Sequence, residues 1–166
     1  MKKYLFITLM ELLFVSQLFS QQRGRIQITS TNQLRKMITD NKDRYRKTEN
    51  INDSTGYKYV FRQDKELRIV MMDFKDKTQQ GNYIDKKVEW NFLNGDLIYS
   101  EQVWTEIKTN KIIDKQQFYF NKYNNAWYMA AWIKFDNKEV NPDSQEFKDK
   151  ETQLVAYGLK LFKESK

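Results

Sequence analysis

The stretch Lys87-Val88-Glu89-Trp90-Asn91-Phe92-Leu93-Asn94-Gly95-Asp96-Leu97-Ile98-Tyr99-Ser100 decides the fold. Apolar and polar residues alternate on both sides of Asn94-Gly95. That dipeptide tolerates positive φ at both central positions of a type I′ turn, whose twist matches a tight antiparallel hairpin. A two-residue loop there pairs Phe92 with Leu97, Trp90 with Tyr99 and Val88 with Glu101. Alternation of this kind predicts strands with one buried face.

Working towards the C-terminus, a turn at Thr109-Asn110 pairs Ile107 with Ile112 and Glu101 with Phe118. A reversal within residues 121–125 sets Phe120 against Trp127 and Phe118 against Met129. These registers agree with one another. They collect Val88, Trp90, Phe92, Leu97, Tyr99, Val103, Ile107, Phe118, Phe120, Trp127, Met129, Ile133 and Phe135 on one face. A one-residue slip would turn any of these strands over. Towards the N-terminus, residues 57–62 alternate as a strand, Gln63-Asp64 reads as a tight turn, and residues 66–74 form a second strand. Residues 48–56 and 76–82 are polar and turn-rich and read as loops. Lys87, Phe92 and Trp104 recur as Lys115, Phe120 and Trp132 at a constant shift, which shared strand preference is enough to explain.

After Asn141-Pro142-Asp143, Ser144 is a capping residue for a C-terminal helix with Glu146 in its first turn. Phe147, Leu154, Val155, Tyr157, Leu161 and Phe162 make its apolar side, and Lys160, Lys163 and Lys166 lie where the helix dipole favours cations. The predicted architecture is α+β: a β-meander of five or six antiparallel strands with an N-terminal and a C-terminal helix.

The chain of 166 residues has no cysteine, no histidine and one proline. Disulfides, thiolate metal sites, imidazole triads and the usual zinc sites are therefore excluded. With 40% hydrophobic and 15% aromatic residues, the chain is rich enough in apolar side chains to bury a core despite 31% charged residues. No P-loop, GxGxxG, HExxH or GxSxG motif occurs, and no loop of alternating Asp and Asn suits calcium. No cofactor is expected.

Lys2 and Lys3 precede an apolar run from Tyr4 to Phe19, and Ser20 offers a small residue for cleavage. This layout predicts a signal peptide over residues 1–20, leaving residues 21–166 as a single domain in the periplasm or outside the cell. Cleavage removes two lysines and one glutamate. Between Arg23 and Lys47 eight basic residues face two acidic ones, whereas the remainder to Lys166 carries 19 of each. The net charge of the mature protein thus lies in its first segment. Ser30 and Gln33 resemble a capping box, and Leu34, Met37, Ile38 and Tyr45 fall on one helical stripe with Arg35, Lys42 and Arg46 beside it. Such a basic helix could meet an anionic membrane surface or serve only as a solvated face.

The leader ending Phe19-Ser20-Gln21, together with Phe118-Tyr119-Phe120, Trp132-Ile133-Lys134 and Asn137-Lys138-Glu139-Val140, resembles small exported Bacteroidota proteins of unknown function. The similarity covers the last third of the chain. It implies a periplasmic or secreted β-meander domain and supplies no catalytic residues. The layout is also similar to cystatin-like and PepSY-like folds at the level of architecture.

Two candidate sites follow from the registers. Glu101 is the one charged residue in the middle of the apolar face, where burial would raise its pKa towards that of a general acid. On the opposite face Trp104, Lys115 and Trp132 lie side by side with Tyr119 next to Tyr128, a platform that could stack on sugars or grip a partner loop unless a helix covers it. The expected function is a non-enzymatic exported binding module for an envelope protein or a glycan, in one version an inhibitor of an extracellular hydrolase. A carboxylate-dependent hydrolase and a peripheral envelope protein held by the basic helix are the alternatives. Export argues against a nucleic-acid partner.

Overall fold

The computed structural model describes residues 31–36, 40, 46–51, 56–63 and 66–165. Residues 31–36 are helical (α1). Seven strands follow: β1 (Arg46–Ile51), β2 (Gly56–Gln63), β3 (Glu66–Lys77), β4 (Tyr83–Leu93), β5 (Asp96–Glu106), β6 (Lys111–Tyr123) and β7 (Ala126–Ile133). They form one antiparallel sheet in chain order, and α2 (Gln145–Glu164) closes the chain. The α+β meander expected from the sequence is the observed fold.

It has one strand more than the polarity pattern suggested. The stretch expected as a loop over residues 48–56 holds most of β1, which pairs with β2 from Arg46↔Arg62 to Ile51↔Tyr57. An edge strand draws on its neighbour's backbone ladder and needs no apolar face of its own. Arg46 therefore begins a strand and is no part of the predicted basic helix. Ser30, Met37, Ile38, Lys42 and Tyr45 lie outside the described residues, as do residues 1–20.

The Asn94-Gly95 turn forms as expected, with φ of 53° and 83°, and Phe92 faces Leu97. A second turn of the same kind sits at Asn124-Asn125, with φ of 47° and 62°. It replaces the longer reversal expected there and pairs Tyr123 with Ala126. The β5–β6 connection is the four-residue turn 107–110, so Glu106 faces Lys111 and Ile107 is not paired with Ile112.

The larger departure comes from four β-bulges. Register shifts occur at Phe61/Arg62, Asn91/Phe92, Trp104/Thr105 and Tyr119/Phe120. In each case the later strand of the hairpin carries the extra residue, namely Arg68, Ile98, Ile113 and Ala130. Trp90 thus faces Ser100 instead of Tyr99, Val88 faces Gln102, and Phe118 faces Trp132 instead of Met129. A bulge bends the strand and sharpens its twist, and it reverses which side chains lie on each face beyond it.

One face, with Val70, Trp90, Phe92, Leu97, Phe118 and Phe120 at its centre, packs against Phe147, Leu154 and Leu161 of α2. Tyr99 and Tyr119 lie on the other face, where α1 sits. Ser144 caps α2, its Oγ accepting from the Phe147 N–H at 3.2 Å. The helix is tied to β7 by the Met129 N–H, which donates to Glu151 Oε1 at 2.8 Å, and to β2 by Arg62, which donates to the Ser165 carbonyl.

At Gly158 α2 lies close on the sheet: a Cβ there would lie 2.9 Å from Leu97 Cδ2 and 3.3 Å from Trp90 Cζ3. Leu97 and Trp90 are each 1% exposed and have no room to yield. Gly158→Ala is therefore expected to destabilise the protein by about 1–2 kcal/mol, although in an open helix the same change would gain roughly 1 kcal/mol. Urea denaturation measures the sign directly.

Candidate functional site

The α1 face holds a dense polar cluster around Glu101. Tyr99 Oη donates to Glu101 Oε2 at 2.7 Å, and Gln117 Nε2 donates to the same oxygen at 3.0 Å. Lys115 Nζ lies 3.2 Å from Oε2, and Arg35 Nη2 lies 3.1 Å from Oε1. The Arg35 guanidinium also stacks 4.3 Å above the Tyr99 ring and approaches Glu89 at 3.9 Å. Arg35 is thus turned onto the sheet by α1 and is not an outward charge.

Burial alone would raise the Glu101 pKa, but the Tyr99 hydroxyl, Arg35 and Lys115 together outweigh it and hold the carboxyl below its usual range. The expectation of a general acid with a raised pKa is corrected: Glu101 is an ionised hub with both oxygens occupied. Tyr99 is fully buried, and burial together with the neighbouring Glu101 charge drives its hydroxyl pKa well up, keeping it a proton donor to the carboxylate. Asp73 is the carboxyl pushed upward, by burial and by a hydrogen bond and repulsion from Asp85.

The five residues expected to make an aromatic platform are divided between the two faces. Trp132 is 3% exposed and packs on Phe118 at 5.7 Å beneath α2. Trp104 shares that face near its open end, half-buried with Lys86 Nζ 4.5 Å above its ring. Lys115 is on the Glu101 side. Tyr119, 2% exposed, packs edge-on against Tyr99 at 5.1 Å and donates to Asn32 Oδ1. Tyr128 is exposed, and the residue opposite Tyr119 is Ala131. Two bulges account for the split: the one at Ile98 inverts β5 and brings Trp104 to the α2 face, and the one at Ala130 inverts β7 between Met129 and Trp132.

What the structure assembles instead is a groove where α2 leaves part of the sheet uncovered. A cavity of about 670 Å³ has Met72, Phe74, Val88 and Trp90 as its floor and Gln102 beside them. Lys150, Leu154, Tyr157 and Lys160 of α2 form its other wall. Tyr157 Oη reaches Met72 Sδ at 3.4 Å, and its ring lies 5.6 Å from that of Trp90. A second hollow of about 460 Å³ shares Lys150 and Gln153 and continues to Gln116, Trp132 and Lys134, with the carboxylates Glu146 and Asp149 on its rim. The larger hollow is lined by two lysines and by no carboxylate. Trp90 Nε1, Trp132 Nε1 and Gln116 Oε1 are buried without a hydrogen-bond partner. Lys150 Nζ lies 5.8 Å from the Trp132 ring and forms no ion pair with a described carboxylate.

Sequence reasoning missed this groove. Its signal is Gly158 on α2, a small residue that lets the helix down onto Leu97 and Trp90, while Lys150, Gln153, Ala156 and Lys160 rim the groove. No helix among the described residues is long and apolar enough to cross a membrane, and no cluster of potential metal ligands occurs among them. Comparison with family models, curated proteins and solved structures finds no match to this chain.

Proposed function

We propose that the protein is an exported, non-enzymatic binding module whose ligand site is the groove between α2 and strands β3–β5. The observation that carries this reading is the groove's composition: an apolar floor of ligand size with lysines and no carboxylate in its walls. Small-molecule sites fall mostly at about 300–1,000 Å³, with apolar walls and a few polar groups that fix orientation. The chemistry that fits is a small amphiphile with an apolar body and an anionic end, the body over Met72 and Phe74 and the charge at Lys150, since Lys160 Nζ already lies 3.7 Å from Glu164 Oε1. The unpartnered Trp90 indole N–H at the groove floor supports a polar contact within the site. Export rests on the leader at residues 1–20, and the division of Trp104, Tyr119 and Trp132 between faces removes the flat platform that a sugar ring would need.

Calorimetric titration with dodecanoate tests the reading. Binding is expected, and Lys150→Glu should weaken it by about tenfold, equivalent to about 1.4 kcal/mol. Ala156→Trp fills the groove from an exposed helix position and should abolish binding without shifting the melting temperature. Equal affinity in wild type and Ala156→Trp would refute the site.

A further inference from the structure

At the end of the sheet formed by the β3–β4 and β5–β6 turns, large apolar side chains stand in solvent. Tyr83 is 58% exposed, Ile107 45%, Ile112 40% and Ile113 41%. Every exposed isoleucine among the described side chains is in this group. The two turns are joined, because the Ile107 N–H donates to the Tyr83 carbonyl at 3.0 Å. The β3–β4 turn is itself closed by the Thr78 N–H donating to the Asn82 carbonyl at 2.8 Å. The cluster is therefore held by backbone bonds at one end of the sheet. Isolated surface apolar residues are ordinary, but a contiguous set of this kind marks a contact surface.

Its charge balance is basic. Lys77, Lys108 and Lys111 are exposed and form no ion pair with a described carboxylate, and Lys77 Nζ rests 4.6 Å from the centre of the Tyr83 ring. Of the nearby acids, Asp76 is paired with Lys86 at 2.6 Å, whereas Glu106 accepts only from the neutral Asn82 and Thr109 and keeps its charge, so the three lysines outweigh it. We infer that this tip docks on an anionic lipid bilayer, with Ile107, Ile112 and Ile113 at the acyl boundary and Lys77, Lys108 and Lys111 at the phosphates. Tyr83 then lies at headgroup depth, where amphipathic rings are favoured. Apolar insertion and lysine attraction to anionic lipid, the latter about 1 kcal/mol per lysine, are the two contributions such interfacial contacts combine. Side chains that stand 40–58% exposed at or beside these turns, with lysines next to them, suit a deformable anionic lipid surface.

This inference does not rest on the groove, although Phe74 at the groove's floor is only three residues along β3 from Lys77, roughly 10 Å. The test is co-sedimentation of the processed protein, expressed with its leader and purified after export, with phosphatidylcholine vesicles containing or lacking phosphatidylglycerol. Retention on the anionic vesicles is expected, weakened by salt. Ile112→Ser/Ile113→Ser, which changes no charge, should weaken it by about tenfold or more. Lys108→Glu/Lys111→Glu should also weaken it, and both variants should keep the wild-type melting temperature. Failure to bind anionic vesicles overturns the inference. So does binding that survives Ile112→Ser/Ile113→Ser and is lost only when the basic residues between Arg23 and Lys47 are reversed.

Discussion

Trp132→Ala is expected to lower stability by about 3–5 kcal/mol, the cost of emptying a large aromatic site in a packed core. The indole is 3% exposed, lies 5.7 Å from Phe118, and belongs to the cluster that includes Phe147 and Leu154 of α2. Lys134 and Lys150 bracket its ring at 4.9 and 5.8 Å, so the deletion also removes two cation–π contacts. Trp132→Phe should recover more than half of the loss, because it keeps an aromatic ring against Phe118. Urea unfolding followed by tyrosine and tryptophan fluorescence gives the difference. A loss below about 1 kcal/mol would place Trp132 at the surface and restore the aromatic platform.

Glu101→Ala is expected to cost about 3 kcal/mol, because it strands Lys115, leaves Arg35 with only its longer contact to Glu89, and leaves the buried Tyr99 hydroxyl without its acceptor. Glu101→Gln keeps an acceptor for Tyr99 and should cost about half as much. The same cluster sets a pH dependence. The folded-state pKa of Glu101 lies below its unfolded value, so its contribution is complete above the unfolded value of about 4.3. That contribution is lost as pH falls from there through the lower folded-state value. Glu101→Gln should flatten the stability profile in that acid window and leave its shape at neutral pH unchanged. An unaltered acid limb in Glu101→Gln would show that the carboxylate is not the hub.

Some elements of this fold could be read from local chemistry and others could not. Asn94-Gly95 dictates its turn because two consecutive residues must take positive φ, and Ser144 dictates the start of α2 because a free N–H needs an acceptor. Both are local requirements. The bulges are not, since an extra residue costs little locally and its benefit is the curvature of the whole sheet. Three of the four leave a trace where the alternation stutters: Leu97-Ile98-Tyr99, Ile112-Ile113 and Met129-Ala130-Ala131-Trp132. Read as bulges, these doubled apolar residues move Trp132 under α2 and Tyr99 towards α1. Read as strict alternation, they give the aromatic platform. The residues around Glu101 were visible as charges, yet their convergence depends on which face Arg35 meets, a tertiary fact. The groove is less legible still, because it arises where α2 stops covering the sheet.

Backbone amide chemical-shift mapping during a dodecanoate titration tests the groove most directly. Saturable shifts are expected at Met72, Phe74, Val88 and Gln102 and along α2 from Lys150 to Lys160, with Glu101, Lys115 and Tyr119 on the opposite face unmoved. Saturable shifts centred on Glu101 and Tyr119, or the absence of any saturable shift, would contradict the groove as the ligand site.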